Sequence, residues 1–280
     1  MNTKRFVPIL ACAAALLAGC GRETTSPDDA SQAPGLPPAE SMQIDLSYFS
    51  SEEGLPIASS GSRAQAALQG TRFNWSTAAL TVFVINTTVG TVLTPPHLAF
   101  QAAIHTFPSL QPDGSYLWIY TFAGPVDDVQ VRLRGRVEGD HVAWELRVTH
   151  PGEGWDNVVW YHGETRLDNE AGFWVFNDLE ALGYPEVARI DWEVGAEDDR
   201  RLVMSVTGDG HADEGDTLTY DIDGTSASVE LWDASEGHEV EIVWDMVTGA
   251  GRITAPAYND GAPACWDENR DDTVCPGTTI

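Results

Sequence analysis

Residues 129–137, VQVRLRGRV, alternate apolar and polar side chains along the chain. Val129, Val131, Leu133 and Val137 therefore fall on one face of an extended backbone, and a glutamine and three arginines fall on the other. Strict alternation of this kind is typical of an antiparallel strand that buries one face. The stretch predicts a sheet with an apolar side and a polar side.

The same pattern recurs from residue 115 to residue 255. HVAWELRV (141–148) repeats it, and EVEIVWDM (239–246) carries it as far as an inward Met246. Turn signals such as EGDH (138–141) separate the segments. The expected class is mainly β with buried α-helices (α+β), an antiparallel meander of about eleven strands, curved or closed into a barrel. The predicted strands are 115–122, 129–137, 141–148, 157–167, 172–178, 188–194, 201–206, 217–222, 226–232, 239–246 and 251–255.

Residues 77–107 contain no charged side chain and do not alternate. TAALTVFVINTTVGTVL is apolar or small throughout, and TPPHLAFQAAIHTF follows it with Thr94 as a cap. These features predict two buried apolar helices, at about 77–93 and 96–106, on the concave side of the sheet. A helix that is apolar on every side must be covered by the rest of the protein. A membrane span is the alternative, which interior polar residues such as Asn86 disfavour.

The first 20 residues have the layout of a bacterial export signal. Lys4 and Arg5 precede an apolar stretch that ends in LAGC (17–20). This ending resembles the lipobox of bacterial lipoproteins, and the resemblance implies cleavage before Cys20 and acylation of Cys20. Several acyl chains hold a protein on a bilayer much more firmly than one. An ordinary secretory signal is the alternative.

The export signal divides the chain into three parts. Residues 1–19 are the predicted signal peptide, and residues 20–41 are the lipidated cysteine with a disordered tether rich in proline, serine and acidic residues. Residues 42–280 are a single domain, with a short strand expected at 42–48. Glycine at position 21 favours sorting to the outer membrane.

The composition is strongly acidic. The 280 residues include 15 lysines and arginines against 43 aspartates and glutamates, a formal charge of −28. Removal of Lys4 and Arg5 with the signal makes the charge −30. A field of this sign repels nucleic acid and anionic lipid headgroups, so nucleic acid is excluded as a partner. A cationic ligand agrees with the charge, and the alternative is that the acidic surface only keeps the protein soluble.

Two cysteines near the C-terminus enclose an acidic loop, CWDENRDDTVC (265–275). Cys12 leaves with the signal and Cys20 is acylated, so Cys265 and Cys275 remain in an oxidising compartment. We expect a disulfide between them that fastens the chain end after the last strand.

Weak calcium binding is the one cofactor prediction. An EF-hand loop needs oxygen ligands at its first, third and fifth positions, then a glycine and a closing glutamate. Both acidic loops offer the first ligands and lack the rest, so a solvated acidic turn is the alternative for each. The candidate ligands are Asp267, Asn269 and Asp271 in the first loop, and Asp209, Asp213 and Asp216 in the second.

Signatures of catalysis are missing, because the chain has no HExxH, GxSxG or phosphate-binding glycine loop. We therefore expect no enzyme and assign no catalytic residue. The ten tryptophans are candidates for stacking on sugars, and Trp174 and Trp232 fall out of phase with the inward residues. Trp144, Trp192 and Trp244 are in phase and predicted to lie in the core.

Several segments together are similar to a family of bacterial lipoproteins, from Bacteroidota-like and related bacteria, that has no assigned activity. They are the acylated signal, LTPPHLAFQAA, YLWIYTF, GRITAP and the ending CWDENRDDTVC, and the similarity covers roughly residues 77–275. The family contributes no functional residue. A looser likeness, in shape alone, is to the lipoprotein-carrier fold, an open meander that holds apolar helices.

These observations predict an outer-membrane-anchored lipoprotein that acts without catalysis, as an envelope binding or structural module. Its expected partner is the lipid bilayer, through acylated Cys20. One alternative is a carrier of a hydrophobic ligand or lipid, with the helices as a movable plug. Another alternative is a glycan-active or metal-dependent hydrolase.

Overall fold

The computed structural model describes residues 33–50, 72–123, 128–196 and 199–276. The predicted signal peptide 1–19, Cys20 and the tether as far as residue 32 lie outside the described residues. Export and lipidation therefore stay predictions.

One antiparallel sheet of fourteen strands forms the body of the domain. Each strand is hydrogen-bonded to the next one along the chain, so the sheet is an uninterrupted meander, and it is not closed. The strands are β1 Ser109–Leu110, β2 Tyr116–Ala123, β3 Asp128–Glu138, β4 His141–His150, β5 Trp155–Arg166, β6 Ala171–Asn177, β7 Glu186–Val194, β8 Arg200–Val206, β9 Thr217–Asp223, β10 Ser226–Asp233, β11 His238–Asp245, β12 Gly251–Thr254, β13 Ala264–Trp266 and β14 Asp272–Thr273.

The antiparallel meander that the sequence predicted is confirmed, and the number of strands is higher. The eleven predicted segments correspond to β2–β12, and the three further strands have only two or three residues each. Alternation cannot be recognised over so few positions, so these strands carry no sequence signal.

The alternating segments bury the faces that their period predicts. On β3, Val131 and Leu133 are fully buried while Arg132 is exposed. Two side chains that were predicted to point into the core do not: Val137 is 49% exposed and Met246 is 45% exposed. Val137 lies at the hairpin end of β3, and Met246 follows the last residue of β11, so the core does not reach either.

A single helix replaces the two that the sequence predicted. Helix α2, Phe73–Ala103, has 31 residues and continues through Pro95 and Pro96, following the short helix α1, Ser47–Ser50. Proline removes a helical hydrogen bond and usually ends a helix. Here Leu93 and Phe100 are buried on either side of the prolines, and their packing favours continuation of the helix.

Burial on every side of the helix was also predicted, and this is wrong. Trp75, Val82 and Phe100 lie on the buried side, whereas Leu80 is 57% exposed and Leu98 is 60% exposed on the other. An open sheet covers only one side of a helix, which explains the difference. Within the described part of the chain, no helix combines the length and hydropathy that crossing a bilayer requires.

The sheet curves around α2. At the N-terminal end of the helix, Asp272 of β14 accepts hydrogen bonds from the backbone N–H of Phe73 and Asn74, at 3.2 and 2.8 Å. Near the C-terminal end, the Tyr120 hydroxyl of β2 donates to the carbonyl of Ala99, and the Phe100 ring lies 5.9 Å from a tryptophan of β6. Strands β2 and β6 would be about 19 Å apart in a flat sheet, so their contact with adjacent helix residues requires strong curvature.

The predicted disulfide is confirmed. Cys265 and Cys275 are bonded, with their Cα atoms 5.2 Å apart. Between them, the Trp266 ring is buried, and its Nε1 donates to the carbonyl of Gly249 at 2.7 Å. The same loop carries Asp272, so the disulfide supports the contact with the start of α2.

The double substitution Cys265→Ser/Cys275→Ser should lower the free energy of unfolding by about 2–3 kcal/mol. Without the disulfide, the unfolded chain has more conformational entropy, which favours unfolding. Urea unfolding followed by tryptophan fluorescence measures the change. The wild type in reductant should unfold at the same midpoint as the variant. Two free thiols in denatured, unreduced wild type would show that the bond is absent.

Candidate functional site

The concave side of the sheet is lined by aromatic rings. Neighbouring rings are in contact: the centroids of Trp118 and Trp144 lie 5.7 Å apart, and those of Tyr161 and Trp174 lie 5.6 Å apart. All of these side chains point inward from different strands. We call this surface the aromatic face, and its members are Trp118, Trp144, Tyr161, Trp174, Trp192 and Tyr220.

Glycines on neighbouring strands make room for the large rings. Gly163 lies directly between Trp144 and Trp174 in the strand register, and Gly172 lies opposite Trp192. A Cβ on Gly163 would lie 2.6 Å from the Trp174 ring, and a Cβ on Gly172 would lie 2.9 Å from the Trp192 ring. Glycine inside a strand marks such close approaches. This role was not predicted from the sequence, although both glycines lie inside predicted strands.

The aromatic face is covered by α2 and by residues 33–49. The Trp174 Nε1 donates to Ser41 Oγ at 3.3 Å, and the Tyr220 hydroxyl donates to the carbonyl of Asp45 at 3.1 Å. The strand predicted at 42–48 does not form: a 3₁₀ turn at Ala39–Met42 and α1 take its place. The segment reaches inward because Met42, Leu46 and Phe49 are buried.

Two polar atoms of the aromatic face stand out because they are buried without a hydrogen-bond partner among the described residues. They are the Tyr161 hydroxyl and the Trp192 Nε1. Burial, together with the nearby Tyr120, raises the pKa of Tyr161 well above its usual value, so the hydroxyl keeps its proton. An unsatisfied buried donor costs about 1–3 kcal/mol. A ligand that accepted hydrogen bonds here would remove that penalty.

The two tryptophans predicted to be exposed stacking rings have different environments. Trp174 is fully buried, so the prediction for it is wrong, whereas Trp232 is 40% exposed on β10. Strand β6 has four consecutive large apolar residues, Phe173 to Phe176. Its inward phase therefore could not be determined from alternation. A stacking role for Trp232 stays a prediction.

The predicted calcium ligands of the first loop take part in hydrogen bonds within that loop. Asp267 Oδ1 accepts hydrogen bonds from the backbone N–H of Asn269 and Asp271, at 2.9 and 3.0 Å. Asp271 Oδ1 also lies 3.4 Å from the guanidinium of Arg72. These contacts fold an acidic turn and engage one carboxylate oxygen of each aspartate, so calcium binding here stays a prediction.

The second acidic loop is no better organised for a cation. Asp216 Oδ1 accepts from the backbone N–H of Ala234 at 2.9 Å, and Asp213 lies 3.8 Å from His211 Nδ1. Among the described residues, Asp209 does not belong to a cluster of possible metal ligands. In the described ranges, a different set brings three ligand atoms within 4.8 Å of one another: Asp233, Glu236 and His238 at the β10–β11 turn.

Comparisons with protein-family models, with curated proteins and with solved structures find no match for this chain. The similarity to bacterial lipoproteins and the likeness to the carrier fold therefore stay predictions from the sequence.

Proposed function

We propose that this protein is an exported lipoprotein, anchored in the outer membrane through acylated Cys20, whose domain is a non-catalytic binding module. The lipobox-like ending LAGC supports the anchor. The aromatic face and its cover support an apolar ligand, held between α2 and the sheet, with a group that accepts hydrogen bonds. A lipid has this chemistry, so the hydrophobic-ligand carrier is the form of binding module that we favour.

One observation carries the choice of ligand. The Tyr161 hydroxyl and the Trp192 Nε1 are buried on the aromatic face, and the described residues offer them no acceptor. Most buried polar atoms in proteins have a partner. Two unpaired donors on one apolar surface are complementary to an apolar ligand whose ester, carboxylate or hydroxyl oxygens accept hydrogen bonds.

The helix has the properties of a cover that can be displaced. It has no charged side chain, so separation from the sheet breaks no ion pair. Pro95 and Pro96 lack the N–H groups that would bond to the carbonyls four residues earlier, and helices bend most readily at such positions. Its N-terminal end is tied to Asp272, and we expect the half after the prolines to move. That movement breaks the hydrogen bond from Tyr120 to Ala99 and the contact of Phe100 with Trp174.

Tyr161→Phe should stabilise the ligand-free protein and weaken ligand retention. Removing the hydroxyl removes an unsatisfied buried donor, so the free energy of unfolding should rise by about 1 kcal/mol. Urea unfolding of delipidated protein measures the stability. Tyr220→Phe is the matched control: its hydroxyl is bonded to Asp45, so the same change should lower the stability by about 1 kcal/mol.

Retention is measured by native mass spectrometry of the full chain purified from bacterial membranes. We expect a non-covalent lipid on the wild type and on Tyr220→Phe, and a reduced amount on Tyr161→Phe. A wild type free of lipid, or equal retention by the three proteins, would contradict the proposed ligand. Membrane anchoring is tested separately, by measuring the mass that acyl groups add to Cys20.

A further inference from the structure

A depression on the convex side of the sheet, about 420 Å³ in volume, is lined by three arginines. Arg132 and Arg134 project from β3, and Arg147 projects from β4. Arg132 and Arg147 are direct partners across the two strands. Like charges in that relation destabilise a sheet. The depression lies on the opposite side of the sheet from the aromatic face.

Two of the arginines are held in place by neighbouring carboxylates. Arg147 makes a two-pronged contact with Glu145, at 2.7 and 2.9 Å, and also donates to the carbonyl of Asn157 at 3.0 Å. Arg134 is paired with Asp113 and donates to a serine hydroxyl at 2.9 Å. Their guanidinium planes are therefore oriented before any ligand arrives.

Arg132 differs from its two neighbours. It is exposed, and within the described part of the chain it forms no ion pair. The three arginines and two carboxylates of the depression carry a formal charge of +1, in a chain whose total is −28. A local positive charge in so acidic a protein attracts an anion at short range.

We propose that Arg132, Arg134 and Arg147 bind a phosphate group on the convex face. Guanidinium groups form paired, charge-assisted hydrogen bonds to phosphate oxygens. A tetrahedral phosphate can accept from Arg132 on β3 and from the free N–H groups of the other two, and it would screen the opposed charges of Arg132 and Arg147. The phosphate is either free or part of a phospholipid headgroup.

The test is titration of the full chain, in uncharged detergent, with inorganic phosphate at constant ionic strength, followed by calorimetry. Arg132→Gln should weaken phosphate binding at least about tenfold. Arg201→Gln is the matched control: it removes one exposed arginine charge from β8, where Arg201 is paired with Asp221, and should leave the affinity within about twofold. Both variants should stay folded without phosphate. Arg132→Gln should melt at or slightly above the wild-type temperature, because it removes the repulsion between Arg132 and Arg147. Arg201→Gln should melt at or slightly below that temperature, because it removes the ion pair with Asp221.

A second variant raises the affinity. Glu145→Gln removes a competing negative charge and frees the guanidinium of Arg147, so phosphate should bind at least about threefold more tightly. Titration with mixed micelles that contain dihexanoylphosphatidylglycerol distinguishes a phospholipid headgroup from free phosphate. Tighter binding of the lipid than of inorganic phosphate identifies a headgroup as the ligand, and equal affinities identify free phosphate. No measurable binding of phosphate or headgroup, or equal weakening by Arg132→Gln and Arg201→Gln, would overturn the proposal.

Discussion

Gly163→Val is expected to lower the free energy of unfolding by about 3 kcal/mol or more, the upper range for an overpacked core. A Cβ at this position would lie 2.0 Å from the carbonyl oxygen of Phe173 and 2.6 Å from the Trp174 ring. The first of these atoms belongs to the backbone of β6, so it cannot move without breaking the pairing of β5 with β6. Urea unfolding and the yield of soluble protein measure the effect.

Gly208→Ala is the control for this prediction. A Cβ there meets its nearest neighbour at 3.4 Å, an ordinary contact, and the backbone is not in the left-handed region. Its stability should stay within about 1 kcal/mol of the wild type. Equal stabilities for Gly163→Val and Gly208→Ala would show that β5 and β6 do not approach as closely as described.

Trp174→Ala should lower the free energy of unfolding by about 3–5 kcal/mol, the usual range for deleting a large buried ring. Trp174 is fully buried and packs against Phe100 of α2 and Tyr161 of β5, and it donates to Ser41. The substitution therefore loosens the sheet, the helix and the N-terminal segment together. Thermal and urea unfolding should both report the loss.

Trp232→Ala is the comparison, because this ring is 40% exposed at the surface of β10. Its stability should fall by less than about 1 kcal/mol. A glycan array on the same variant tests the predicted stacking role, which would appear as loss of binding by a folded protein. Equal destabilisation by the two substitutions would contradict the assignment of Trp174 to the core.

Much of the sheet could be predicted because alternation is a local property. On β3 and β4, every second side chain is apolar, and strand type, inward face and neighbour follow from the period and from the turns. The pairing of Cys265 with Cys275 was predictable for a different reason, namely that the other two cysteines fall in the predicted export signal.

Elements without a clear period could not be predicted. Strand β6 is apolar at four successive positions, so both phases were possible, and the choice that places Trp174 inward depends on its neighbours β5 and β7. The length of α2 could not be predicted either. Its prolines favour a break, and only the packing of Leu93 and Phe100 against other elements outweighs it.

The aromatic face was beyond the sequence because it joins residues that are distant in the chain. The sequence by itself determined the antiparallel meander, the acidic charge, the expected export and the disulfide, since each depends on short-range pattern or on composition. The tertiary structure alone decided which donors are buried without a partner among the described residues. Burial depends on the curvature of the sheet and on the elements that cover it, which no local stretch of residues encodes.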